Sequence, residues 1–400
     1  DKIGRKCYYK WKRSNQITED FMNSVAFIFA LLGLLLLTVF IYINYPKQWR
    51  RHKLFNVVLI IFHVLGTLSL AGIFVVYKRI PYEWIKWGIS RIGSIYYVVI
   101  LYLAILFGVR IVARFIYVRA KRAEHKQITV KEIHFLFDRR VHSAVFLVIA
   151  FGIAFYGFYN IGNVRVTEYD VEISKHCDRD SLNVVFFADT HCGAGTWSYT
   201  YDKLEKEIRG EEPDIILIGG DVFDETTSER DIEYFRKLIQ SVDAPLGIYY
   251  IYGNHDDNTD DYTARLMREM GVQVLEDEMV TVDGIQLIGR LDPVDDQLSL
   301  DELMNKVDKD DSLPTIMLTH RPEKFKEISD AGCDLALAGH THGFNIPQFM
   351  GRNIAYDMYY GRKDYNGMTA ITTSGVSAWG FHYKFPAKSE IVSLHITFGN

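Results

Sequence analysis

Four long apolar stretches in the first 165 residues constrain this chain more than any other feature. The first, FMNSVAFIFALLGLLLLTVFIYINY at 21–45, carries no charge, nor do the second at 54–77 and the fourth at 141–163. The third is uncharged from Ile92 to about Val109 and is read as a helix over 92–117. Each reaches or exceeds the roughly 18 uncharged residues that mark a membrane-spanning helix. A buried core helix seldom runs so far without charge, and four in tandem predict an all-α, four-helix transmembrane domain over 1–165. The first stretch also exceeds the ~7–15-residue apolar region of a cleavable signal peptide.

An even number of spans puts the N-terminal tail, the loop at 78–91 and everything after the fourth helix on one side. The opposite loops contain KQWRRHK (47–53) and RFIYVRAKRAEHK (114–126). Basic loops stay in the cytoplasm, so the C-terminal half is expected outside it, on a multi-pass protein of the cell membrane. The basic tail DKIGRKCYYKWKR pulls the other way. Ionisable side chains are scarce inside the spans, with His63 and His142 the chief exceptions; an anchor is favoured over a transport pathway or channel, which needs such groups. His63 reads as a hydrogen-bonded helix residue. Tyr82, Trp84 and Trp87, with flanking Lys and Arg in 78–91, suit a short segment lying in the membrane interface.

From 166 onward short apolar runs alternate with charged helical patterns. LNVVFFADTHCG (182–193), DIILIGGDVFD (214–224), LGIYYIYGNHDD (246–257), TIMLTHRP (315–322) and DLALAGHTHG (334–343) each read as a buried strand breaking off in polar residues. Between them lie YDKLEKEIRG, RDIEYFRKLIQ and DYTARLMREMG, which have helical spacing. Strands alternating with helices imply an α/β domain over 166–400, with ligands bound outside the carboxyl ends of the strands. VRVTEYDVEISK (164–175) alternates as a strand that links the two parts. Cys7, Cys177, Cys192 and Cys333 have no CxxC spacing and indicate neither a zinc ribbon nor a disulfide framework. A net charge of −5 without a basic, aromatic-interleaved stripe gives a nucleic-acid partner no support.

Singly, Asp189 or Asp221 could be a helix cap. Together the strand ends spell D-x-H (Asp189, His191), G-D-x-x-D (Gly220, Asp221, Asp224), G-N-H-D (Gly253 to Asp256), a lone His320 and G-H-x-H-G (Gly339 to Gly343). In extended backbone, residues i and i+2 project to one side, so His340 with His342, and Asp189 with His191, can enter one crevice. Carboxylate, imidazole and amide oxygen suit divalent Mn, Fe or Zn.

This order of blocks resembles the calcineurin-like metallophosphoesterases over about 180–400. The resemblance implies a two-sheet sandwich flanked by helices and two divalent metal ions. Asp189, His191 and His342 would hold one ion and Asn254, His320 and His340 the other, with Asp221 bridging. His255 would be the catalytic histidine near the leaving group. Asp224 and Asp256 are grouped with it as supporting carboxylates that orient ligands. Cys192 is expected to be a small packing residue, and Arg290 either to meet a substrate phosphate or to form an exposed ion pair. Where the family reads G-H-T-H-G-G-Q, this chain has GHTHGFNIPQ, so Phe344 and Asn345 alter the pocket rim. SGVSAWGFHYKFPAKSEIVSLHI reads as closing strands. The implied activity is metal-dependent hydrolysis of a phosphomonoester or phosphodiester by a metal-activated hydroxide. With the bilayer as anchor, a lipid-linked or envelope substrate is expected, its headgroup presented in part by 78–91. The alternative is a membrane sensor or scaffold with this fold and no turnover.

Overall fold

The computed structural model describes residues 31–124, 127, 129–256, 261–293, 297–343, 345 and 356–399. The helical region comprises α1 (Leu31–Asn44), α2 (Lys47–Arg51), α3 (Lys53–Val75), α4 (Glu83–Ala123), α5 (Val130–Phe137) and α6 (Arg139–Gly162). Three of these, α3, α4 and α6, are long and apolar enough to cross a membrane, and α1 is a shorter apolar helix. Residues 21–30 of the first expected span, and Cys7, lie outside the described residues.

Two expectations change here. The segment 78–91 is not separate from the third helix: a 3₁₀ turn covers Tyr77–Arg79, and α4 begins at Glu83 rather than at 92. Trp84 and Trp87 therefore sit on the first turns of α4. At its other end α4 passes beyond 117 to Ala123, for 41 residues in all. No proline interrupts Glu83–Ala123, so the hydrogen-bond ladder propagates through both polar ends. At 1.5 Å per residue it spans about 60 Å, about twice a bilayer's apolar thickness.

By packing, the chain falls into two units. One holds the residues up to Ile61 together with Val98–Phe151. Its aromatic centre is Tyr45, edge-on to Phe55 and Phe107, with Phe107 in turn edge-on to Phe146. The other holds Phe62–Tyr97 and Gly152–Asn400. In it His63 Nδ1 lies 3.2 Å from the Tyr96 hydroxyl, the hydrogen-bonded helix position expected of it.

The second unit contains two six-stranded mixed sheets. One has the order β1 (Arg165–Ile173), β12 (Glu390–Phe398), β2 (Ser181–Phe187), β3 (Ile215–Ile218), β4 (Ile248–Tyr250), β5 (Gln273–Val274). The other runs β10 (Gly361–Tyr365), β11 (Met368–Thr372), β9 (Leu335–Ala338), β8 (Thr315–Leu318), β7 (Ile285–Gly289), β6 (Glu278–Val282). Strands β2, β3 and β4 are parallel, as are β7, β8 and β9. Val184 and Phe186 of β2 and Leu335 and Leu337 of β9 pack between the sheets. Val185 and Phe187 face outward onto α7 (Ser198–Gly210) and α8 (Glu229–Ser241). Strands buried on both faces read as continuous apolar runs, which is why their ends were so visible in the sequence. The short helices α9 (Tyr262–Glu269), α10 (Leu300–Lys306) and α11 (Phe325–Asp330) complete the outer layers.

The expected closing strands are only partly present: β12 starts at Glu390, and 374–389 is irregular. Side chains replace a strand ladder there. The buried Lys384 amine donates to the carbonyls of Ser374, Gly375 and Ser377, and Asn160 of α6 donates to those of Lys384 and Ala387. Buried peptide groups need such partners. The same segment packs on the helical residues of its unit. The Tyr97 and Phe381 rings stack at 4.9 Å, the His382 N–H donates to Ser94 Oγ, and the Lys384 N–H donates to the Gly157 carbonyl. A Cβ at Gly157 would lie 2.2 Å from the Tyr383 ring, so only glycine admits this approach. Buried Arg91 of α4 lies 4.6 Å over Trp197, where cation–π attraction offsets part of its desolvation.

Asn160→Ala removes both of its hydrogen bonds and leaves two carbonyls unmet. It is expected to cost about 1–3 kcal/mol, lowering the unfolding midpoint by about 2–4 °C per kcal/mol. Thermal unfolding of the detergent-purified protein, compared with the parent, measures this.

Candidate metal centre

The five polar strand ends meet at one edge because the strands carrying them run parallel within each sheet. Asp189 follows β2, Asp221 follows β3, Asn254 follows β4, His320 follows β8 and His340 follows β9. Asp189, His191 and His342 form one group of buried donor atoms, and Asp221, His320 and His340 form a second; within each group the atoms lie within 4.8 Å of one another. Asp221 Oδ2 stands 3.1 Å from His320 Nε2 and 3.6 Å from His191 Nε2, so its carboxylate lies between the groups.

The backbone at these positions is not the extended form that the i, i+2 reasoning assumed. Asp189, His191, Asp221, His340 and His342 all have positive φ, between 40° and 70°. Left-handed backbone at a non-glycine residue costs on the order of 1–3 kcal/mol and persists only where the surroundings enforce it. The Asp189 N–H donates to the Gly220 carbonyl, and the Asp189 carbonyl accepts from Ser377 N–H at 2.9 Å. His191 N–H donates to the Asp221 carbonyl, and His340 N–H to Asp189 Oδ2 at 2.9 Å. The turn at 339–343 thereby delivers His342 to the first group and His340 to the second. An extended strand would have sent both rings the same way.

Asp256 belongs to neither donor group. Its buried carboxylate accepts from the N–H groups of Asp221 (2.7 Å), Val222 (2.9 Å), Phe223 (3.0 Å) and Gly253 (2.9 Å). Burial, with Asp221 nearby, pushes its carboxyl up to about 6. Its role is positioning. Asp224 Oδ2 lies 3.5 Å from His191 Nδ1 while Oδ1 accepts from Thr226, so it orients that imidazole. Gly253 allows the two loops to touch: a Cβ there would stand 2.2 Å from Asp221 Oδ1.

Asn254 Oδ1 and His191 Nε2 are buried without a hydrogen-bond partner. Such orphaned donors and acceptors need a ligand to account for them. Carboxylate and imidazole in the two groups, and the orphaned amide oxygen of Asn254, are donor types that fit hard-to-borderline divalent cations.

His255 N–H donates to Asp221 Oδ1 at 2.8 Å, fixing the loop. Its ring stacks on Trp379 at 5.2 Å and meets His191 edge-on at 5.3 Å, and Nδ1 is 3.6 Å from Glu225 Oε2. Burial acts to lower the His255 pKa, but Glu225 and Asp221 outweigh it and raise it above its usual value. Glu225 also accepts from Trp379 Nε1 at 2.8 Å, which locks the stack.

Sequence reasoning missed Glu225, Trp379, Lys384 and Tyr356, whose hydroxyl lies 2.7 Å from His340 Nε2. Glu225 directly follows the G-D-x-x-D block, but nothing in the chain links it to a tryptophan 154 positions away. Cys192 is a buried packing residue, as expected, and burial raises its thiol far above the usual range. Arg290 departs from both readings. It is buried, donating from Nη2 to the Leu298 carbonyl, and is neither an exposed ion pair nor open to a phosphate. At the departure from the family pattern, Asn345 accepts from Phe385 N–H and donates to the Tyr383 carbonyl, both at 3.1 Å. It clamps the 374–389 segment; Phe344 lies outside the described residues.

Comparison with known proteins gives a concordant result. The family model for calcineurin-like phosphoesterase matches residues 182–344. An uncharacterized metallophosphoesterase of Helicobacter pylori is 28% identical over 283 residues, covering 67% of this chain and 75% of the relative. The uncharacterized metallophosphoesterase YkuE of Bacillus subtilis is 30% identical over 232 residues, covering 53% and 78%. A transmembrane protein with metallophosphoesterase domain from Danio rerio is 23% identical over 271 residues, covering 62% and 61%. The matched stretch contains every block that forms the centre, and the chain belongs to the calcineurin-like metallophosphoesterase family.

Proposed function

We propose that this chain is a membrane-anchored, dinuclear-metal phosphoesterase acting on a phosphomonoester or phosphodiester in a lipid-linked or envelope molecule. The observation that carries the hydrolytic reading is the meeting of two donor groups across Asp221 with His255 beside them. Two divalent ions, of Mn, Fe or Zn, would supply an acidified water and clamp the attacking and leaving oxygens.

The chain's own residues do the rest. Asp189, His191 and His342 would hold one ion, Asn254, His320 and His340 the other, and Asp221 would serve both. Two carboxylates against two dications leave net positive charge, which favours an anionic phosphate. His255 donates a proton to the leaving oxygen, with Glu225 and Trp379 keeping its ring in position. Asp224 and Asp256 orient His191 and the Asp221 loop.

The lipid-linked reading is supported by the 374–389 segment, which carries Trp379 against His255 and, two to five residues on, Phe381 and Lys384 against helical residues Tyr97 and Gly157. A substrate drawn from a membrane would need no long excursion from such a joint. Transmembrane relatives with the same domain agree with this reading. The basic loops favour a multi-pass protein of the cell membrane with the domain outside the cytoplasm. Protease added to intact cells is then expected to cleave within 166–400; protection until lysis would reverse the orientation.

Elemental analysis is expected to find two divalent ions per chain. Chelation should abolish turnover of an aryl phosphate and added Mn should restore it, while Asp221→Ala should lose bound metal. A chain that binds metal but turns over no phosphate ester would favour the sensor or scaffold instead. His255→Ala is expected to lower kcat by about 10²–10⁴-fold with metal content and unfolding midpoint unchanged; parental kcat would remove His255 from the chemistry.

A further inference from the structure

The helical unit formed by the residues up to Ile61 and Val98–Phe151 contains a cavity of about 390 Å³ whose lining is strongly cationic. Lys47 of α2, Arg110 and Arg114 of α4, and Arg139 and Arg140 of α6 border it, against a single acid, Asp138. That acid is already engaged. Its Oδ1 accepts from the N–H groups of Arg140 at 2.6 Å and Val141 at 3.3 Å, capping α6. Its charge is thus turned onto the helix start.

Arg110 is the built part of the site. It is 6% exposed, its Nη2 donates to the Phe137 carbonyl at 2.9 Å, and its Nε is buried with no hydrogen-bond partner. A buried donor left unmet is costly. Gathering four guanidinium groups and an amine around one cavity is unfavourable unless an anion enters. The planar fork of arginine matches phosphate oxygens in paired hydrogen bonds.

The surroundings identify the source of that phosphate. Ile111, Val112 and Phe115 of α4 and Val141 of α6 flank the arginines and are 43–61% exposed. Both helices are candidate membrane spans. Apolar surface adjoining a basic pocket between membrane helices suits acyl chains below an anionic headgroup. We propose that this cavity binds the phosphate of an anionic phospholipid. None of its lining belongs to the metal centre, so the inference stands whether or not that centre hydrolyses anything.

The test uses the full chain in detergent, titrated with dihexanoyl-phosphatidylglycerol, dihexanoyl-phosphatidylcholine and inorganic phosphate, with bound ligand counted by native mass spectrometry. Phosphatidylglycerol is expected to bind saturably, about tenfold or more tighter than phosphatidylcholine. The exposed double variant Arg139→Gln/Arg140→Gln, and separately Arg110→Gln, should weaken it about tenfold or more, as the loss of charge-assisted hydrogen bonds predicts. Asp221→Ala should leave it unchanged. Equal binding of both lipids, or unaltered binding by the double variant, would overturn the proposal. Loss of binding in Asp221→Ala would move the lipid to the metal centre and overturn it too. Inorganic phosphate binding as tightly as phosphatidylglycerol would make this a free-anion site and reject the lipid.

Discussion

One buried carboxylate underlies the geometry of the candidate metal centre. Asp256 gathers four backbone N–H groups, three from the consecutive residues 221–223 and one from Gly253. Those residues follow β3 and β4, so Asp256 joins the loops after two neighbouring strands and sets the Asp221 loop. Asp221 in turn has a left-handed backbone, which needs such external support. His255 then hangs from Asp221 Oδ1 by its own N–H. The chain of dependence runs from a residue that belongs to neither donor group to the histidine beside both. Strain at the donors is sustained by hydrogen bonds one layer back, as a precise ligand geometry requires.

A second support comes from the irregular segment 374–389. Its Ser377 carbonyl lies 3.2 Å from His342 Nδ1 while its Ser377 N–H donates to the Asp189 carbonyl, so one residue steadies two donors. Lys384 collects three carbonyls of the same segment although burial, against Asp189 and Glu390, pulls its pKa down to about 7. Asn345, where this chain leaves the family pattern, holds the peptide groups of Tyr383 and Phe385. Sequence divergence at the rim is thus used to brace the segment that also reaches Tyr97 and Gly157. The 374–389 segment and helical residues Tyr97 and Gly157 share one packed unit for this reason.

What could be read from the chain followed from local rules. Charge-free stretches reveal helices fit for a membrane because each peptide must satisfy its own backbone there. Strands buried on both faces appear as apolar runs, and their abrupt polar ends mark the crevice. By contrast, α4 extends past both expected limits because helix propagation is indifferent to polarity once no proline intervenes. The closing strands at 374–389 failed to form because side chains from 160, 345 and 384 met their peptide groups.

The sequence by itself determined that acidic, histidine and amide residues follow buried strands and that a helical apolar region precedes them; their roles as donors came only from the resemblance to a family. Each of those facts is carried by composition and spacing along contiguous stretches of the chain. Only the tertiary structure decided that Asp256 braces a loop, that left-handed backbone at His340 and His342 is what sends their rings to different groups, that Glu225 and Trp379 hold His255, and that five cations from three helices share one cavity. Those relations join residues remote along the chain, and no local pattern records a contact made through space.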